Sequence, residues 1–147
     1  MQHISADLMD QKLTFPNLIE SLNAAFKADW NTPVRAHHTI SGNGQDKTLL
    51  LMPAWTDFSD DAYIGVKVAT VVPDNGTRNL PSIHGLYYLM DGVSGRPLVT
   101  MDGTRLTLWR TSAASALASK YLSRPDSKVL TMVGAGALSP FMIRAHM

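Results

Sequence analysis

The chain has 147 residues, of which 45% are hydrophobic and 17% charged, with a formal net charge of +1. That composition describes a globular protein able to bury a core without staples, and a near-neutral balance with no basic run excludes an electrostatic footprint for nucleic acid and a polybasic membrane anchor. Cysteine is absent, which excludes disulfides, thiolate metal sites and cysteine nucleophiles from this chain.

The opening "MQHISADLMDQKLTF" lacks a charged region followed by an apolar stretch, and no run reaches the length of a membrane span, so the cytoplasm is the expected location. In "TFPNLIESLNAAFKADW", Thr14 is placed as a cap and Pro16 sits in the first turn, where its missing N–H costs little. Leu18, Ile19, Leu22, Ala25 and Phe26 then recur at helical spacing, so this helix has one apolar face. From residue 34 to residue 100 the texture changes to β-rich runs, "VRAHHTI", "TLLLMPAW", "YIGVKVATVV", "IHGLYYLMD" and "PLVTM". The turn signals "SGNGQD", "TDFSDD", "PDNGTRNLP" and "GVSGRP" separate them, which predicts a mostly antiparallel sheet of about five strands. The aspartates at 57, 60 and 61 belong to a solvated loop in this reading. "LTLWRTSAASALASKYL" has no internal glycine or proline and predicts a second helix.

After a short linker, "SRPDSK", residues 129–133 read as a buried strand, Gly134 and Gly136 as a tight turn, and Pro140 onward as a helix. The first glycine of such a turn permits the sharp bend, the second lets backbone approach a pyrophosphate, and the helix N-terminus favours the anion. An ordinary strand-to-helix turn is the competing reading. The composition shift near Arg124 divides the chain into residues 1–124 and residues 125–147.

Lys67 is the most informative single residue. One face of its strand carries Ile64, Val66, Val68, Thr70 and Val72, which suit a core; the other carries Tyr63, Gly65, Lys67, Ala69 and Val71. A lysine among small residues suits a pocket floor, where an ammonium holds a carboxylate or, once burial lowers its pKa, moves a proton. The alternative is a lysine whose stem packs while its head reaches water. Arg35 enters a strand beside His37 and His38, whose adjacency points them to opposite faces and argues against a shared metal. Arg110, between Trp109 and Thr111, is expected in the first turns of its helix, either clamping a carboxylate or pairing with an acid such as Asp102.

Together "GVKVATVVPDN", "LPSIHGLYYLMDGVSGRPLVTMDGTRLTLWRTSAASALASKYLSRPDS" and "MVGAGALSP" resemble the ornithine cyclodeaminase and μ-crystallin family, from about Pro33 to the last residue. The resemblance implies an α+β substrate and dimerisation domain with a mostly antiparallel sheet, followed by the first βα unit of an incomplete Rossmann domain. It implies an NAD or NADP cofactor, a small amino or imino acid substrate and a homodimer. By the same resemblance Arg35, Lys67 and Arg110 hold the substrate carboxylate, and Lys67 is also the catalytic proton-transfer group. Ser82 and Thr111 match positions near the cofactor, while Gly134, Gly136, Ala137 and Leu138 match the pyrophosphate turn, with Leu138 standing where glutamine is common. The implied activity is that of an NAD(P)-dependent imino acid reductase acting on a cyclic imine such as Δ1-pyrroline-2-carboxylate. Alternatives are an ornithine cyclodeaminase and, from another class, a non-catalytic dimerising or ligand-binding module. Because the family's cofactor domain continues well past this point, the chain is expected to be either a fragment or a truncation.

Overall fold

The computed structural model describes residues 1–56 and 62–147, so the expected loop aspartates Asp57, Asp60 and Asp61 lie outside the described residues. The described chain divides into two compact units, Met1–Ala6 with Asp29–Thr104, and Asp7–Ala28 with Arg105–Met147.

The first unit is a seven-stranded mixed sheet in the order β1-β7-β6-β5-β4-β2, with β3 also paired to β4. The strands are β1 Gln2–Ile4, β2 Trp30–Asn31, β3 Ala36–Ile40, β4 Lys47–Thr56, β5 Tyr63–Val71, β6 Ile83–Asp91 and β7 Pro97–Asp102. The expected antiparallel run is present as β3 to β7, each strand pairing with the next. Two short strands extend it: β2 adds to β4, and β1 adds in parallel to β7. Neither announces itself in the sequence, because strands of three and two residues carry no readable alternation.

The burial of β5 reverses the expected roles of its faces. Its buried positions are Gly65 and Ala69, on the face of Lys67, whereas Ile64, Val66, Val68 and Thr70 are only half-buried. Small residues are buried here because other chain lies directly on them. Gly65 is covered by the Tyr87 side chain, and Gly85, the cross-strand partner of Ala69, meets the backbone of Gly103 and Thr104. The fit at Gly103 is tight: a Cβ there would stand 2.7 Å from the Gly85 carbonyl carbon and the Leu86 nitrogen. The Thr104 hydroxyl also accepts the Gly85 N–H at 3.0 Å, fastening the end of β7 over β6.

The second unit is helical, with α1 Ala6–Lys12, α2 Phe15–Ala25, most of α3 Gly103–Leu122, and α4 Ser139–His146. Phe15, Trp109, Ala113, Ala116, Phe141 and Ala145 form its core, with Leu18, Ile19 and Leu22 of α2 packed against them. Trp109 is central: its ring lies 4.5 Å from Phe15 and 5.6 Å from Phe141, and its indole N–H donates to Asp10 at 2.8 Å. Truncating such a residue to alanine typically costs about 3–5 kcal/mol. Helix α1 was not legible as an element, and Asp10 shows its use, since it accepts from Trp109 and pairs with Arg105 at 3.6 Å.

Residues 129–133 differ from expectation. They form no strand among the described residues, and Val129 and Val133 are 85% and 90% exposed. Their composition is that of a buried strand, but a strand exists only where its N–H and C=O groups meet a partner's, and no other described segment pairs with this one. No helix among the described residues is long and apolar enough to cross a membrane.

Candidate functional site

Pairing in β3 to β7 arranges one group of side chains. Met52 of β4 stands opposite Lys67 of β5, which in turn stands opposite Tyr87 of β6 and, one strand further, Met101 of β7. Residues directly opposite one another share a face. Arg35 immediately precedes Ala36, the first residue of β3, whose partner is Leu51, and belongs to no described ladder. Arg35 is exposed and Lys67 half-buried. The pairing also places His37 on the Lys67 face and His38 on the opposite one.

Tyr87 was not singled out from the sequence. Its ring tip covers Gly65, in the room left by the missing side chain, and burial raises the phenol pKa above its ordinary value. The available signal was a glycine two residues from a strand lysine, which says only that something approaches closely; the identity of the approaching group depends on the register of β6. Ser82 precedes β6 and is exposed, and its carbonyl accepts the Val72 N–H at 2.8 Å.

Arg110 and Thr111 belong to the helical unit. The structure corrects the placement of Arg110: α3 begins at Gly103, so Arg110 lies about two turns inside the helix and not at its start. The helix boundary moved because "DG" after a β-run reads as a turn, whereas Gly103 here opens the helix where it passes over Gly85. Arg110 is exposed and enters no ion pair found among the described residues. The Thr111 hydroxyl oxygen is buried and has no hydrogen-bond partner among the described residues, an arrangement that is costly unless something else satisfies it.

The glycine turn has the backbone its sequence implies. Gly134 has φ of +101°, a conformation a side chain would strain, and a Cβ on Gly134 or Gly136 would meet nothing within 4 Å. Ser139 holds the turn shut from behind. It is buried, its hydroxyl donates to the Gly134 carbonyl at 3.0 Å, and its N–H donates to the Gly136 carbonyl at 3.0 Å. Ala137 is exposed and Leu138 half-buried at the N-cap of α4. Phe141, the third residue of α4, anchors that helix against Trp109, with the Arg144 guanidinium 4.5 Å above the Phe141 ring. An apolar groove of about 540 Å³ between α2 and α3, lined by Phe26, Leu117 and Tyr121 among others, contains none of the predicted site residues.

A mixed sheet of this topology, carrying a lysine on a strand paired on both sides and followed in the chain by an alanine-rich helix and a glycine turn that opens a further helix, makes this an α+β chain. The chain belongs to the ornithine cyclodeaminase/mu-crystallin family, whose pattern it matches over residues 3–147. Among its relatives, protein SAR DEFICIENT 4 of Arabidopsis thaliana is 51% identical over 116 residues, covering 79% of this chain and 35% of that protein. A Delta(1)-pyrroline-2-carboxylate reductase of Colwellia psychrerythraea is 35% identical over 100% of this chain and 46% of its own length. Among solved structures, Thermococcus litoralis Delta(1)-pyrroline-2-carboxylate reductase in complex with NADH and L-proline superimposes with a TM-score of 0.85. It is 32% identical, over 99% of this chain and 45% of that one. The iminosuccinate reductase of Paracoccus denitrificans in complex with NAD+ gives 0.86 at 27% identity, over 99% and 45%. The chain thus spans less than half the length of each of these proteins.

Proposed function

We propose that this chain is the front part of an NAD(P)-dependent imino acid reductase acting on a small cyclic imine such as Δ1-pyrroline-2-carboxylate. In this proposal residues 1–124 form the substrate-binding and dimerisation domain, and residues 125–147 open the cofactor domain. The observation that carries the reading is Lys67 in the middle of a strand paired on both sides, in one row with Met52 of β4 and Tyr87 of β6. Likeness over 99% of this chain to a protein whose structure is in complex with NADH and L-proline supports it.

The glycine turn fits a dinucleotide. Open space stands in front of Gly134 and Gly136, where a Cβ would intrude, and the N–H groups of Gly136, Ala137 and Leu138 have no acceptor among the described residues. These groups, with the N-terminus of α4, suit a pyrophosphate. Ser82 and Thr111 are assigned to the cofactor as well, and the unsatisfied Thr111 hydroxyl is what such a partner would complete. Leu138 offers no side-chain hydrogen bond at its position. When bound, the nicotinamide supplies a hydride to the imine carbon.

The chain's own residues do the rest. Lys67, Arg35 and Arg110 hold the substrate carboxylate, fixing the C=N bond relative to the hydride donor. Lys67 is also the candidate to deliver the proton that the imine nitrogen requires, so that C=N becomes CH–NH. The second copy of a homodimer is assigned to the other face of the sheet, where Leu51, Val66, Val68 and Leu86 form a half-exposed apolar surface.

The test is nicotinamide oxidation by the full-length protein with the five-membered cyclic imine. Imine-dependent oxidation yielding proline is expected, and Lys67→Ala should lower kcat/KM by about 100-fold, roughly 3 kcal/mol, with nicotinamide affinity nearly intact. Ammonia release from ornithine without imine reduction would replace this reading with cyclodeamination, and equal loss of cofactor and substrate binding would make Lys67 structural.

A further inference from the structure

We infer that Tyr87 is a specificity-determining residue, whose ring forms the adjustable wall beside Lys67 and sets the size of the ring or side chain accepted there. This rests on the reading of Lys67 as the carboxylate anchor.

The two flanks of Lys67 along β5 are built differently. On one side is Ala69, whose partner Gly85 lies under the backbone of Gly103 and Thr104 at 3.2 to 3.5 Å from where a Cβ would stand. Backbone on backbone cannot yield, and Ala69 is 4% exposed, so that flank is fixed. On the other side is Gly65, which contributes no side chain, and the space above it is taken by the tip of the Tyr87 ring. Tyr87 springs from the position directly opposite Lys67, so its ring and the lysine stem rise side by side, about 5 Å apart at their roots. A carboxylic acid held by the ammonium of Lys67 would therefore present the rest of its skeleton toward either a closed wall of backbone or one aromatic side chain. Only the second can change size by rotation or substitution.

The phenol supports the same placement. Tyr87 is half-buried, burial holds its pKa above the ordinary phenol value, and its hydroxyl has no partner among the described residues. The ring is thus neutral and unfastened, a wall held by packing. Hydrophobic walls discriminate a single methylene by about 10-fold to 200-fold, enough to separate five-membered from six-membered ring acids.

The experiment is calorimetric titration of the full-length protein with L-proline and with its six-membered homologue, piperidine-2-carboxylic acid, comparing wild type, Tyr87→Phe, Tyr87→Ala and Lys67→Ala. Each variant is scored by the ratio of its two dissociation constants, which a reduced folded fraction does not move. Tyr87→Ala is expected to shift that ratio about tenfold toward the six-membered acid, and Tyr87→Phe to preserve the wild-type ratio. An unmoved ratio in Tyr87→Ala overturns the inference, as does an equal shift in Tyr87→Phe, which would assign selection to the hydroxyl. Lys67→Ala reads the underlying assignment separately. Loss of both acids supports the carboxylate anchor, and wild-type binding of both overturns that anchor whatever the Tyr87 ratios show.

Discussion

Strand β5 and residues 129–133 are both strand-like in composition, and they have opposite fates. Every residue of β5 from Ile64 to Val71 pairs on both sides, with β4 and with β6. The other segment, with the same apolar and β-branched character, belongs to no ladder among the described residues, and Leu130 and Met132 are 51% and 39% exposed. Propensity describes how well side chains sit on a pleated, half-buried surface; it does not supply the neighbour that creates the surface. The substitution that should separate the two most sharply is proline, which removes a ladder N–H and fixes φ. Val68→Pro, in the middle of β5, is expected to cost about 3 kcal/mol or more, a large fraction of a typical domain's stability, and to lower the unfolding midpoint strongly. A cooperative transition with a small shift of midpoint would mean that the sheet is not the stable part of the molecule.

A milder perturbation of the same strand is Gly65→Ala. The added Cβ would collide with the Tyr87 hydroxyl and ring, and because the obstacle is a side chain the structure yields by turning it, at about 1–3 kcal/mol. Pairing Gly65→Ala with Tyr87→Ala gives the sharper measurement. If the collision accounts for the cost, the alanine at 65 should be far better tolerated in the Tyr87→Ala background, a coupling read directly from a double-mutant cycle in denaturant.

What the sequence disclosed follows from the same contrast. Alternation and turn residues located β3 to β7 within a few residues of their observed ends, because five consecutive hairpin-connected strands need only local signals. The α3 helix was likewise legible, although its start was set too late, since the helix begins where Gly103 must cross Gly85 and that crossing is a tertiary fact. Lys67 and the glycine turn were visible through their unusual neighbours. Tyr87 was not, because it earns its place through the pairing of β6 with β5 and looks like any other aromatic in "GLYYLM". Which of Tyr87 and Tyr88 faces the lysine is a matter of register, and a slip of one residue would exchange them. Ser139 bonds both glycine carbonyls of the turn, a role that depends on the fold of the turn and not on local composition.

Tyr87 offers a smaller effect that tests its burial by titration. Its pKa is raised in the folded protein by burial, while in the unfolded chain it titrates near the usual value of about 10. The neutral ring contributes its stability fully below that unfolded value, and the contribution is lost as pH rises through the higher folded one, because the unfolded state releases the proton first. Wild type should therefore lose stability more steeply than Tyr87→Phe as pH rises above about 9. Parallel curves would show that the phenol is solvated in the folded state and that Gly65 is covered only intermittently.

The smallest effect is expected at the other pole of the comparison. Leu130→Pro removes an N–H that no described strand accepts, in a segment outside every helix and strand, so its cost to this chain should stay within about 0.5 kcal/mol. The same substitution in the full-length protein is the informative partner. If residues 129–133 pair there with a strand from the longer chain, Leu130→Pro should cost as much as Val68→Pro does in β5, and should weaken nicotinamide binding, because the glycine turn begins at the next residue after the strand. An equally small cost in both would mean that these residues remain unpaired even with the rest of the protein present. The turn at Gly134 and Gly136 would then be held from its helical side alone, through Ser139 and the docking of Phe141 on Trp109.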